Sequence, residues 1–358
     1  MISRPSLFKV PGGDTVQLHE TAEALRKIGV EVDFKASDAK IDYGNYQLIH
    51  FFNIIRPNVI SYHLKRSSLP YVISTIFVDY SEIESKHRPW PFRLLNQLLG
   101  ADGMEYIKTL ARFFKNGEAI LDFRYLWNGH KRSVEKVLKG AELLLPNSES
   151  ELNRLKRRYR FSTPHRVVPN AVNQAFFKDQ GQNEEASVRS SILCVARIEM
   201  IKNQLNLIKA VNQTSFELRL IGKAAPNHQE YYEKCKKEAG ANVTFLGQLD
   251  RDEVIAEMRN AKVHILPSFF ETTGLSSLEA AACGCQIIVT PRGDTKAYFQ
   301  DKAHYCEPDD PKSIKHAIEK AMACENDDHL KNFVRENYRW EVTAEITHEA
   351  YQKVLESN

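Results

Sequence analysis

The chain is most informative first in what it lacks. No apolar run approaches the roughly 18 residues of a membrane span, and the opening MISRPSLFKV has no signal-peptide core, so a cytoplasmic location is expected. Neither a G-x-G-x-x-G turn nor a G-x-x-x-x-G-K loop occurs, which disfavours a dinucleotide enzyme and an NTPase. Cysteine is scarce, and all six (Cys194, Cys235, Cys283, Cys285, Cys306, Cys324) fall in the second half. None is paired with histidines at zinc spacing, and the expected state is reduced, structural thiols with no bound metal. A net charge of +3 over 358 residues is too small to imply a nucleic-acid partner, and none is expected. What is present, 42% hydrophobic and 27% charged residues, is ordinary for a globular chain long enough for about two domains.

The pattern along the chain is β/α repetition. A strand within residues 1–10 is followed by Pro11-Gly12-Gly13-Asp14 and a helix with apolar positions Leu18, Ala22, Leu25 and Ile28; Val30, Val32 and Phe34 then alternate as the next strand. Further apolar runs at 46–52, 71–79, 141–148 and 166–172 read as strands of a parallel sheet covered on both faces. Between Asp79 and Lys139 lies a helical insertion that interleaves aromatic, leucine and basic residues. It reads as a flap over the sheet, with contact with an anionic membrane surface as the alternative. A second basic cluster, Arg154 to Arg160, reads as the dipole-matched end of a helix starting near Ser148. Residues 175–190 turn polar and read as a linker. A second β/α series follows, with strands at 191–197, 216–222, 242–248, 262–268 and 286–291. The domains expected are 1–174, with the insertion at about 80–139, then 191–338, with a last helix over 339–358 crossing back to the first. Two Rossmann-like domains would face each other across a cleft at the carboxyl edges of their sheets.

The most informative stretch is AKVHILPSFFETTGLSSLEAAACGCQI, residues 261–287. A short strand ends at Pro267, and a helix with a narrow apolar face begins near Gly274. Glu271 lies in the elbow, Glu279 about two turns along, and the free amides of the first helical turn lie between them, an environment suited to phosphate. Ser276 with Glu279 also fits a capping box, and Glu271 also fits a solvated loop residue. Arg197 ends the first strand of the second series, and Lys202 stands just ahead of a helix, where a cation opposes the dipole and calls for an anion nearby. The D-x-D at Asp250-Arg251-Asp252 resembles a metal-diphosphate motif, but Asp250 with Glu253 reads better as a helix cap.

The combination of Gly12-Gly13, PNSES at 146–150, VPNAV at 168–172, Arg197 with Lys202, FLG at 245–247 and PSFFETTGLSSLEAAACG resembles family 4 of the retaining GT-B glycosyltransferases. The resemblance runs over nearly the whole chain, to RWEVTAEITHEAY at 339–351, and the E-x7-E pair is its specific part. It implies a nucleotide-diphospho-sugar donor (UDP- or GDP-linked) on the second domain, a glycan or lipid-linked acceptor on the first, and transfer with retention and without metal. By that analogy Glu271 holds sugar hydroxyls and Glu279 the ribose. Thr273, Gly274, Leu275 and Ser276 cradle the distal phosphate, and Arg197 and Lys202 neutralise the diphosphate. Gly247 lies by the nucleotide, and Gly12 and Gly13 close over it. Three positions depart from the family pattern. Phe77-Val78-Asp79 stands where many members carry a histidine, leaving Asp79 as candidate substitute, and Ala171 and Asn203 stand where glycine is usual. Two other readings stay open: a nucleotide-sugar epimerase of the same architecture, and a non-catalytic sugar-nucleotide-binding subunit.

Overall fold

The computed structural model describes residues 1–4, 12–79, 90–116, 120–178, 189–325 and 327–357. The chain divides into two compact units, Met1–Pro169 with Trp340–Asn358, and Asn170–Arg339.

The first unit is built on a five-stranded parallel sheet in the order β2-β1-β3-β4-β5. The elements are β1 (Ile2–Ser3), α1 (Gly13–Lys27), β2 (Lys35–Ala36), β3 (Ile49–Phe52), α2 (Pro57–Leu64), β4 (Tyr71–Ser74), α3 (Trp90–Asn116), α4 (Arg124–Gly140), β5 (Leu143–Leu144) and α5 (Glu149–Arg158). The central strands β3 and β4 are buried throughout, as parallel strands covered on both faces must be. The alternation Val30-Val32-Phe34 does not form the second strand; β2 lies just after it and pairs only Lys35 and Ala36 with β1. The expected strand at 166–172 is an extended segment, with bridges at His165 to Leu144 and at Val172 to Arg339. Of the first strand read within 1–10, residues 5–10 lie outside the described residues, as do 80–89 and 117–119 of the insertion.

The second unit holds β6 (Ser191–Val195), α6 (Gln204–Val211), β7 (Leu218–Ile221), α7 (Gln229–Glu238), β8 (Val243–Gly247), α8 (Arg251–Asn260), β9 (Ala261–Leu266), α9 (Leu275–Ala282), β10 (Gln286–Val289), α10 (Thr295–Phe299), β11 (His304–Tyr305), α11 (Pro311–Ala323) and α12 (His329–Asn337). Its sheet is parallel in the order β11-β10-β9-β6-β7-β8. From β6 the chain winds outward through β7 and β8, then returns to the other side of β6 at β9. The strand order therefore reverses between β6 and β9, which is where open α/β sheets form a crevice at their carboxyl ends. Part of the expected linker is structural: Gln174–Phe177 form a 3-10 turn whose Phe176 and Phe177 are buried in this unit's core. Residues 179–188 lie outside the described residues.

The closing helix, α13 (Trp340–Glu356), belongs to the first unit and packs against α1. There Tyr351 Oη meets His50 Nδ1 at 2.6 Å, and Thr343 donates to the Pro169 carbonyl.

Candidate functional site

The site is assembled from the two loops at the reversal point of the second sheet. After β6 the chain turns through Arg197 and a 3-10 turn, Met200–Lys202, into α6. After β9 it turns through Pro267 to Gly274 into α9. A backbone bond from Phe269 N–H to the Ile201 carbonyl (2.8 Å) ties the loops together. That tie brings two predicted residues into contact: Lys202 Nζ lies 2.6 Å from Glu271 Oε1, with both side chains largely shielded.

Asn203, in place of the usual glycine, explains how Lys202 is presented. Its φ of 61° is left-handed, the conformation asparagine tolerates best among residues with a Cβ. Its side chain does not cap α6; instead it donates to the Pro267 and Pro308 carbonyls (3.0 and 2.7 Å), binding the lysine loop to the elbow. Ala171, the other replaced glycine, is not among the described residues with positive φ, so a side chain there brings no backbone strain.

The elbow itself is held from behind. Gly293, in the loop after β10, has a φ of +77°, and a Cβ on it would sit 1.9 Å from the Glu271 carbonyl oxygen. Asp294 N–H donates to that same carbonyl at 2.9 Å. The backbone of Glu271 is thereby fixed against the neighbouring loop. Thr273, fully buried, accepts from Asn170 Nδ2 at 2.8 Å, and Asn170 N–H donates to Tyr298 Oη at 2.9 Å.

Helix α9 starts at Leu275, with Gly274 as its N-cap at φ 72°, and no side chain caps it. Ser276 and Glu279 therefore do not form the capping box that their spacing allows, because the helix begins two residues too early for Ser276 to be the cap. Ser277 and Leu278 N–H close back on the Gly274 carbonyl. Among the described residues no acceptor meets the amides of Gly274, Leu275 and Ser276, which lie at the positive end of the helix dipole. Beneath Gly274 lies Ser277 Oγ, buried and without a hydrogen-bond partner among the described residues. Glu279 follows on the same helix, half-buried.

Other predicted residues stand apart from this pair. Arg197 is exposed and bonded to Glu199 at 3.1 Å. Gly247 ends β8 at φ 73° with open space where a Cβ would be, and its carbonyl accepts from Gly222 N–H. Gly12, Gly13 and Asp79 belong to the first unit. Gly12 caps α1, whose first residue is Gly13. Asp79 lies 3.4 Å from Arg158, which also holds Asp102 at 2.9 Å. The loop carrying Asp79 is clamped by the buried Glu151 carboxylate. It accepts from Thr75 Oγ1, from Phe77 N–H (2.8 Å) and from Asn147 N–H (2.9 Å). This loop and the one after β3 border a shallow concavity lined by Ile54, Phe77, Glu105, His130, Arg158 and Tyr159. Burial holds the His130 imidazole down at about 4, neutral at physiological pH.

The D-x-D motif is a cap. Asp250 accepts from Glu253 N–H and Glu253 from Asp250 N–H, at 2.9 and 2.8 Å. Among the described residues no group of three or more His, Cys, Asp or Glu side chains is arranged to hold a metal ion. All six cysteines are free, and burial pushes the thiols of Cys194, Cys283 and Cys306 up to about 12.

An uncapped helix N-terminus and a shielded lysine-glutamate pair thus lie together at the point where the strand order of a doubly wound α/β unit reverses. Over residues 175–340 the chain matches the family described as Glycosyl transferases group 1. It is 23% identical to a D-inositol 3-phosphate glycosyltransferase of Pseudarthrobacter chlorophenolicus, over 81% of this chain and 77% of that one. Among solved structures it resembles sucrose-phosphate synthase of Thermosynechococcus elongatus, with a TM-score of 0.72 at 18% identity over 97% and 94% of the two chains. Anabaena HepE in complex with UDP-glucose aligns with a TM-score of 0.68 at 14% identity over 98% and 99%. The fold is accordingly that of the GT-B glycosyltransferases, two parallel sheets with their helices.

Proposed function

We propose that this chain moves a hexose-type sugar from a UDP- or GDP-sugar to a glycan or lipid-linked glycan, with retention of anomeric configuration and without a metal, in the biosynthesis of a cell-surface polysaccharide. The observation that carries the reading is the contact of Lys202 with Glu271 beside the open amides of α9. Breaking the bond between the anomeric carbon and the phosphate oxygen builds negative charge on the diphosphate and positive charge on the sugar. Fixed donors aimed at the first charge lower the barrier directly. In this arrangement the amides of Gly274, Leu275 and Ser276 take the distal phosphate, and Thr273 shapes their loop. The Lys202 ammonium and the Arg197 guanidinium neutralise the leaving diphosphate. Glu271, set against Lys202, accepts from sugar hydroxyls, and Glu279 accepts from the ribose. The UDP-glucose bound by HepE supports a nucleotide-sugar donor of this kind. The acceptor is assigned to the concavity in the first unit, where neutral His130, Glu105 and Arg158 offer both donors and acceptors to hydroxyl groups. Asp79, held by Arg158 at the border of that concavity, is assigned the place of the family's histidine.

The test is transfer by the purified chain, in EDTA, with nucleotide release and product anomer read together. Glu271→Ala is expected to lower transfer at least a hundredfold, roughly the effect of losing one positioned transition-state contact. Undiminished transfer by that variant refutes the role. Free nucleotide released without any acceptor, with an epimerised sugar, replaces the reading by epimerisation.

A further inference from the structure

The helical insertion of the first unit does more than cover the sheet. Its two helices pack through a Tyr106–Tyr125 stack with ring centroids 5.5 Å apart and a bond from Tyr106 Oη to the Leu126 carbonyl. Met104, Tyr125, His130, Val134, Val137 and Leu138 are buried, as a flap requires. A flap alone would turn its other large apolar residues inward too. Instead Trp127 is 81% exposed, Phe114 80%, Leu98 73% and Phe123 65%.

The aromatic ones among them are not scattered, whereas Leu98 lies apart, before the break in α3 at Gly100. Thr109 of α3 meets Tyr125 of α4. Phe113 and Phe114, in edge contact with each other, lie one turn beyond Thr109, and Phe123 immediately precedes α4. The aromatic residues therefore gather towards the end where α3 hands over to α4, with Trp127 one turn along from Phe123. Water-facing aromatic surface of this kind is costly to leave uncovered and marks an interaction site.

Charge selects the occupant. Residues 107–132 contain six Lys or Arg, one of which, Lys108, is paired with Glu105 at 2.7 Å, against two acidic residues. One of the latter, Asp122, is neutralised by Lys65. Arg124, Lys131 and Arg132 are exposed around the aromatic residues. Aromatic tips ringed by long cationic side chains match the boundary between lipid headgroups and acyl chains.

We propose that the α3–α4 tip docks on an anionic lipid bilayer. Phe114, Phe123 and Trp127 enter the headgroup boundary, while Arg124, Lys131 and Arg132 lie against lipid phosphates. The proposal is independent of the sugar-transfer reading, and its test uses neither donor nor acceptor.

The experiment is cosedimentation of the full chain with phosphatidylcholine vesicles that contain either no anionic lipid or about 30 mol % phosphatidylglycerol. Partitioning is expected to be at least tenfold stronger on the anionic vesicles. It should fall at least tenfold in Phe114→Ser/Trp127→Ser. In Arg124→Gln/Lys131→Gln/Arg132→Gln the anionic preference should fall on the order of a hundredfold, at about fivefold per basic side chain. All these side chains are exposed or half-buried at the surface, so the variants should keep the wild-type melting transition, which is the folding control. The chain has three tryptophans, and the blue shift of emission on vesicles should vanish in Trp127→Phe. Absence of partitioning to anionic vesicles overturns the proposal, as does equal partitioning of the wild type and the aromatic double variant. A concentration-dependent dimer that the double variant abolishes, without vesicle binding, assigns the surface to a second copy and likewise overturns it.

Discussion

Gly293→Ala probes the site from a residue that touches no ligand in the proposed mechanism. At φ +77° an alanine pays about 1–2 kcal/mol for the left-handed conformation. Its Cβ would lie 1.9 Å from the Glu271 carbonyl oxygen, where real contacts are above 3 Å, so the two loops must part by about 1 Å. The bond from Asp294 N–H to the same carbonyl is then stretched or lost, at about 1 kcal/mol. The second unit should therefore lose roughly 2–4 kcal/mol and remain folded. Transfer should fall about a hundredfold, the effect of misplacing a positioning group by about 1 Å. Gly29→Ala is the control. Its φ is +87° with nothing within 4 Å of the added atom, so it should cost about 1 kcal/mol by strain alone and leave transfer unchanged. Denaturant melts followed by transfer kinetics on the folded fraction separate the two effects. Wild-type transfer by Gly293→Ala would refute the claim that the Glu271 backbone must be fixed.

The remaining predictions concern pH and the D-x-D motif. Burial lowers His63 and His130 in the first unit to about 4 and His264 in the second to about 3. The unfolded chain titrates these groups near 6.5, so between that value and the folded one it binds more protons, and stability falls as pH falls. Each should remove about 1.2 kcal/mol between pH 7.0 and 5.5; burial also lowers His50 in the first unit and His304 in the second, so urea melts should show the first unit, with three such groups against two, losing more than the second. Equal loss, or none, would contradict this. Asp250→Ala should cost about 1 kcal/mol as a lost helix cap while transfer in EDTA stays intact. Transfer that collapses in this variant and returns with Mn²⁺ would make the motif a metal site after all.

The elbow was legible in sequence because its signals are local: an apolar run stopped by Pro267 and a helix opened by Gly274. The supports of that elbow were not. Gly293 and Asp294 act across to Glu271 from the loop of another strand, and Asn170 reaches Thr273 from the start of the unit, so no spacing within the motif reveals them. Ser276 and Glu279 had the spacing of a capping box, but the left-handed Gly274 starts the helix two residues earlier than that box needs. The segment 175–190 read as a linker from its polar majority, although Phe176 and Phe177 were the residues that decided its first turn. At the edge of the first sheet, the alternation at Val30–Phe34 preceded the true strand, since a two-residue edge pairing leaves little periodic trace. In the insertion, composition gave aromatic and basic residues but not which of them face outward.

The central claim, a diphosphate held at the N-terminus of α9 beside Lys202, is tested most directly by thermal shift. Wild type and Lys202→Ala would be compared in EDTA against UDP, GDP, ADP and their common sugar conjugates. The account predicts that one nucleotide class stabilises the wild type by about 2.7 kcal/mol at about 100 times its Kd, and that most of this shift is lost in the variant. No shift with any of them, a shift that needs added Mn²⁺, or an equal shift in both proteins would contradict it.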